Sequence, residues 1–436
     1  MKLSNSAIVC TTLLFILMSA VFSSAQATQP FQPPVAGYTG AGSCASSNCH
    51  GGVWPKTGGN VDQNEYQTWS AKDRHAKSFS VLFEPRSQRI ARNLRIVRPE
   101  ASPVCLNCHA TNVPEARRAF TFDLTDGVSC ESCHGPASGW LGNHTTRGWT
   151  HEQSLQAGMK DTRSVKARVE ICLGCHVGDD SRTVDHELIA AGHPDLVFEF
   201  ESFLTLMPVH WRQDKGQPDL SRRWALGQAF SLQETMKQFS RRARGTAWDG
   251  WIEFADFECS ACHHELLAAS SRQERGYSGR AGVPPWNESR YLIVRQILGV
   301  LSPANRRELD DAVAQLKQQL QNPMAARNQV AVSADRIAGI AQEVAVIIER
   351  AAADPKMNSR LLRAIAADAS TFALAGIRAA EQAAMSADAL YNASVKLPDD
   401  PVNKQIGRLY DLLKSQSGYD PSRFAVELQK LSTLVQ

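Results

Sequence analysis

Five times in this 436-residue chain a pair of cysteines is followed at once by a histidine. Four runs are alike: Cys105-Leu106-Asn107-Cys108-His109, Cys130-Glu131-Ser132-Cys133-His134, Cys172-Leu173-Gly174-Cys175-His176 and Cys259-Ser260-Ala261-Cys262-His263. The one nearest the start is stretched, with Cys44 and Cys49 four residues apart before His50. With histidine at 12 of 436 positions, five such successes by chance have a probability on the order of 10⁻⁸. C-x-x-C-H is the attachment pattern of c-type haem: both thiols add to the vinyl groups, and the next histidine binds the iron. Zinc would need two pairs converging on one ion, with no reason for a histidine after each. Disulfides suit an exported chain but do not require the histidine either. The pattern therefore implies covalently bound haem c, five groups expected and four at minimum. At the stretched motif the intervening residues must loop out, and the competing reading of Cys44 and Cys49 is a disulfide.

The chain opens on Met1-Lys2, an apolar run over 7–22, and Ala25-Gln26-Ala27. That is a secretory signal peptide, expected to be cut after Ala27. Cys10 falls within the apolar run and is removed with it, so no unpaired cysteine remains. The run is too short to serve as a spanning helix, and no later stretch is apolar enough. A soluble periplasmic protein is expected. The net charge of +3 argues neither for nucleic acid nor for a membrane surface.

All histidines lie between His50 and His264, and neither cysteine nor histidine follows His264. The chain should divide near the Gly282-Val283-Pro284-Pro285 breaker. Residues 28–285 would be a haem domain of short helices and loops wrapped around the porphyrins. Residues 286–436 would be an α-helical bundle, and the fold class is mainly α. Leu309, Val313, Leu316 and Leu320 share one helical face, as do Ile337, Ile340, Val344 and Ile347. Ser302-Pro303, Asp354-Pro355, Asp400-Pro401 and Asp420-Pro421 read as helix starts, a capping side chain before proline at the first position. Five to six helices are expected there, either as a plain structural bundle or as a docking or oligomerisation surface.

Each iron has a second axial position. The motif histidines His50, His109, His134, His176 and His263 take the first. Of the seven others, His75, His144, His193, His186 and His210 are the candidate distal ligands, with His151 behind them. Two imidazoles give a low-spin haem suited to electron transfer, whereas an open position allows a small molecule to bind. His264 adjoins a motif histidine and cannot reach the far face of the same haem. Met159, Met207 and Met236 rank below the histidines as ligands. Lys72, Arg74 and Arg92 are candidate partners for haem propionates.

The segment Gly127-Val128-Ser129-Cys130-Glu131-Ser132-Cys133-His134-Gly135-Pro136, with His144 after it, resembles the tetrahaem cytochrome c group that accepts electrons from hydroxylamine oxidoreductase. So does the run from Trp69 through His75-Ala76-Lys77-Ser78-Phe79. The stretches around His186, His193 and Cys259 resemble a wider set of exported multihaem cytochromes. The resemblance spans about residues 40–270 and implies closely packed haems, mostly with two histidines each. The stretched first motif, the fifth site and the helical tail depart from that group.

These features favour an electron carrier working between redox partner proteins. The alternative is a multihaem oxidoreductase with one five-coordinate haem acting on a small nitrogen or sulfur compound. A third reading is a sensing module whose helical tail binds a partner.

Overall fold

The structure, a computed structural model, describes residues 37–57, 61–212, 219–245, 251–263, 280, 282–324, 326–392, 400–415 and 418–435. The expected signal segment, with Cys10, and His264 lie outside the described residues. Ala36–Gln436 forms one compact unit. It is mainly α, and among the described residues β pairing is confined to two isolated bridges, Tyr38 with Arg118 and Phe257 with Trp286.

Short helices and 3₁₀ turns carry the chain as far as Leu206, and three motifs end helices. Pro103–His109, Cys130–His134 and Val165–His176 each finish on the motif histidine. In a helix, residues three and four apart share a face, so one short turn presents two thiols and an imidazole together. Proline at the first position starts Pro103–His109, and the Ser164 hydroxyl caps Val165–His176. Gly135, at φ +83°, stops Cys130–His134, and a Cβ there would sit 2.7 Å from the Gly158 carbonyl oxygen.

The stretched motif solves its extra length with a turn. Cys49 N–H donates to Ser46 O (2.8 Å), Gly51 N–H to the same oxygen (3.0 Å) and His50 N–H to Cys44 O (3.2 Å). A Cβ on Gly51 would lie 1.8 Å from the Ala45 carbonyl oxygen, so only glycine closes this loop.

One element runs against the expectation of short pieces before residue 285. Leu220–Arg244 is a 25-residue helix, capped by the Asp219 carboxylate. Its buried positions include Gln228, Ser231, Gln233, Gln238 and Ser240 as well as Trp224, Phe230, Leu232, Met236 and Phe239. Burial on several faces, with polar residues among them, hides the single apolar stripe that marks an amphipathic helix. The helix packs along Arg327–Arg350. One apolar core thus runs through residues on both sides of 285, from Val165 to Leu431.

Beyond residue 285 the described residues hold eight α-helices, more than the five to six expected, because the chain breaks at Asp368 and again around Gly376. Leu309, Val313, Leu316 and Leu320 are buried, as are Ile337, Ile340 and Val344, while Ile347 packs at the edge. Asp400 and Asp420 cap their helices as read. Ser302 precedes its helix but bonds Asn305 instead of a backbone amide. After Asp354-Pro355 the helix starts only at Met357, with the Asp354 carboxylate bonding Lys356 N–H and Arg360.

Trp224 is fully buried. Trp224→Ala is expected to cost about 3–5 kcal/mol, read as a lower denaturant midpoint. Val332→Ala, at 64% exposure on Arg327–Arg350, should stay within about 0.5 kcal/mol of the parent.

Candidate functional site

Four of the five motif histidines face a spare histidine brought from elsewhere in the chain. His50 and His144 have ring centres 6.2 Å apart with planes at 9°. His176 and His75 are 6.1 Å apart at 83°, and His109 and His193 are 6.4 Å apart at 87°. His263 and His186 are 6.2 Å apart at 29°. Metal–imidazole bonds of about 2.0 Å, each extended by about 1.1 Å to the ring centre, would separate two axial rings on one iron by roughly 6.2 Å. Aromatic rings also pack at such distances for contact alone. Contact does not explain why every pair joins one motif histidine to one spare one, always between 6.1 and 6.4 Å. The residues present fit bis-imidazole haem at these four positions.

The second nitrogen of most of these rings is already held. His109 Nδ1–H donates to Ser78 O (2.9 Å), His144 Nδ1–H to Trp140 O (3.1 Å) and His193 Nδ1–H to Pro194 O (2.7 Å). A carbonyl only accepts, so the proton sits on Nδ1 and the Nε2 lone pair is free. His50 Nδ1 bonds Glu65 Oε2 and His75 Nδ1 bonds Asp73 Oδ1, both at 2.9 Å. His151 is arranged the other way: its Nε2 meets Asp161 Oδ1 at 3.1 Å, which occupies the atom a ligand would use.

The elements explain the aim. Asp73 caps the 3₁₀ turn Arg74–Lys77 and catches the His75 ring as well as its amide. His144 sits in the turn Asn143–Thr145, its ring tied back to Trp140. Asp185 caps His186–Ala190, whose first residue is the partner of His263. Seven residues later His193 stands opposite His109, its segment clamped by Arg86 Nη2 on Gly192 O and Asn93 Nδ2 on Ala191 O, each 2.9 Å.

Burial pushes the His176 imidazole down to about 4, with His75 adding to it. Burial likewise lowers His193, partly offset by the Pro194 carbonyl. His50 and His75 go the other way: their carboxylate partners raise them against the effect of burial. Burial raises the Glu65 carboxyl, but the hydrogen bonds from His50 and the backbone outweigh it and hold it down to about 2.

The third motif differs. Burial holds His134 down to about 4, with the His210 and His50 imidazoles adding to the effect. Among the described residues no histidine ring stands opposite His134 at the common spacing. His210 lies within electrostatic reach of it; its ring packs against Trp211 at 5.1 Å, and its Nδ1–H donates to Pro208 O at 3.1 Å, which leaves its Nε2 free as at His144 and His193.

All ten described cysteines are free thiols, including Cys44 and Cys49. No three His, Cys, Asp or Glu side chains converge as a metal-ion cage among the described residues, so the zinc alternative finds no tetrahedral site. The thiols instead meet across motifs. Cys44 lies beside Cys130, and Cys108 beside Cys175, near enough for each pair to shift one another's thiols. Cys133 is within electrostatic range of Cys172 and Cys175. The sites therefore follow one another in space as first, third, fourth, second, and the short 186–193 segment ties the second to the fifth.

Sequence reasoning missed the carboxylates. Asp73 stands two residues before His75, a spacing that permits the ring contact, but Glu65 is fifteen residues from His50 and carries no local sign of its role. It also missed Glu131, inside the third motif, which is 1% exposed. Its carboxylate accepts from Thr39 N–H (2.9 Å), Gly40 N–H (2.7 Å) and Ala137 N–H (2.7 Å) and so pins the start of the described chain to that motif. Lys72, Arg74 and Arg92 are exposed, and Met236 lies in the apolar core.

Residues 43–135, which contain the first three motifs, match the family model described as cytochrome c554 and c-prime. No curated protein matches the chain. No solved structure matches it. The family match supports a multihaem c-type cytochrome with covalently bound haem and a role in electron transfer. No helix of the described residues is long and apolar enough to cross a membrane.

Proposed function

We propose that this protein is an exported periplasmic electron carrier holding five haem c groups, four of them between two histidines. The observation that carries the reading is the fourfold repeat of a motif histidine and a spare histidine at one separation, 6.1–6.4 Å. Bound haem supplies a one-electron couple that a protein side chain cannot. The chain's residues do the rest. Cysteines fix each group covalently, and carbonyls and carboxylates lock the imidazole tautomers so that Nε2 faces the metal. The nearness of Cys44 to Cys130, and of Cys108 to Cys175, supports neighbouring sites close enough for electrons to pass between them. Electrons would enter from one redox partner protein and leave to another, the first and fifth sites being the ends of the series. A partnership with hydroxylamine oxidoreductase remains part of this proposal, on the strength of the resemblance around Cys130 and His75. The helices after residue 286 are proposed as a bundle that supports the haem region and offers its outer faces for docking.

A second reading has a specific observation behind it. His134 lacks a facing histidine ring among the described residues, so the third site is the place for a five-coordinate haem and for small-molecule chemistry. Carbon monoxide added to the reduced, purified protein separates the two. Binding to one haem in five supports the open third site. A spectrum that does not change leaves the carrier alone, with His210 closing that site. A colourless protein, or one whose mass shows no haem increments, would end both readings.

A further inference from the structure

The histidine pairs are not all held alike, and the difference falls on particular sites. At the second site both rings lean on backbone carbonyls, His109 on Ser78 O (2.9 Å) and His193 on Pro194 O (2.7 Å). At the first site His50 leans on the Glu65 carboxylate at 2.9 Å. That carboxylate is fixed in turn, its Oε1 accepting from Asp62 N–H (2.8 Å) and Gln63 N–H (3.1 Å). At the fourth site His75, facing His176, leans on Asp73 Oδ1 at 2.9 Å. Asp73 is 4% exposed, and its Oδ2 has no hydrogen-bond partner. A buried carboxylate with one idle oxygen adds little to the fold for the desolvation it suffers. Its other oxygen takes both of its bonds from His75, one from the ring and one from the amide, each at 2.9 Å.

We propose that Glu65 and Asp73 are positioning residues that set the reduction potentials of the first and fourth haems below that of the second. A carboxylate on Nδ1–H makes the imidazole a more basic donor and brings a full negative charge, and both favour the ferric state. A carbonyl dipole does this far more weakly. The effect should be larger for Asp73, whose side chain is 3% exposed, than for Glu65, at 15%, because a charge acts more strongly where water is excluded. The fourth and second sites touch through Cys175 and Cys108, so electrons reaching the fourth would run downhill into the second.

This inference rests on the haem-carrier reading. Its test is a spectropotentiometric titration of the full, haem-loaded chain. Asp73→Asn should move one component upward and leave the others in place. Glu65→Gln should move a different component upward by less, and the double variant should show both shifts. Asp123→Asn, an exposed carboxylate that bonds only Thr125, should shift nothing. Midpoints in both variants that coincide with the parent overturn the inference and leave the carrier reading intact. A parent protein without haem fails the carrier reading first. If Asp73→Asn loses a low-spin haem altogether, Asp73 is a scaffold residue and that half of the inference falls; the Glu65→Gln midpoint then decides the other half.

Discussion

Replacing His193 by alanine should turn one low-spin haem into a high-spin, five-coordinate one without loss of the group. The two thioether bonds from Cys105 and Cys108 do not depend on His193, and His109 keeps its own anchor on Ser78 O at 2.9 Å. What disappears is the ring 6.4 Å from His109. The backbone around it is held independently by Arg86 and Asn93, so the fold should survive. Carbon monoxide binding to the reduced protein should therefore rise by one haem per chain over the parent, with a new high-spin signal in the oxidised form. His151→Ala is the matched control. His151 Nε2 is engaged by Asp161 at 3.1 Å, so its loss should leave the haem spectra unchanged. If the His193 variant binds no more carbon monoxide than the parent, the pair is an aromatic contact and the ligand assignment at the second site is wrong.

The difference between these two histidines is partly visible in the sequence, where the flanking Gly192 and Pro194 favour His193. Motif cysteines and histidines could be named from it because the attachment chemistry needs them adjacent, and a short helical turn brings them to one face. Distal partners are a tertiary matter. His144 follows the third motif too closely to fold back onto it, and the structure sets it against His50 of the first. His186 and His193 lie seven residues apart and stand opposite different motif histidines. Gly192 and Pro194 around His193 rank it ahead of His151 in the sequence, and the hydrogen bond that occupies Nδ1 of the first and Nε2 of the second gives the separation its physical basis. The mainly α fold could be read from the alanine- and leucine-rich periodicity after residue 286. Leu220–Arg244 could not, since glutamine and serine interrupt the pattern on its buried faces. Caps were partly legible. Asp400, Asp420 and Asp354 each bond the amide two residues on, but the helix after Asp354 begins only at Met357.

Ending the chain at residue 285 should prevent the haem region from folding stably, although composition changes sharply there. Leu220–Arg244 lies before the cut and packs along Arg327–Arg350. Five of the residues buried on the latter are valine or isoleucine: Val330, Ile337, Ile340, Val344 and Ile348. Burying each contributes about 1.5–3 kcal/mol, so together they supply roughly 8–15 kcal/mol, as much as the 5–15 kcal/mol by which a whole domain is stable. Polar ties would be cut as well. Gln382 Nε2 donates to Phe198 O at 2.9 Å, Arg222 Nη2 to Ala351 O at 2.7 Å, and Arg378 pairs with Asp195. The first two leave donors or acceptors next to newly exposed apolar surface, where they favour aggregation over an independent domain. The expected result is an insoluble or rapidly proteolysed fragment, with haem attached to a minor fraction of it. A soluble 28–285 fragment with five haem increments and parental low-spin spectra would instead show that the haem region is a domain in its own right and that the helices after it are dispensable for its folding.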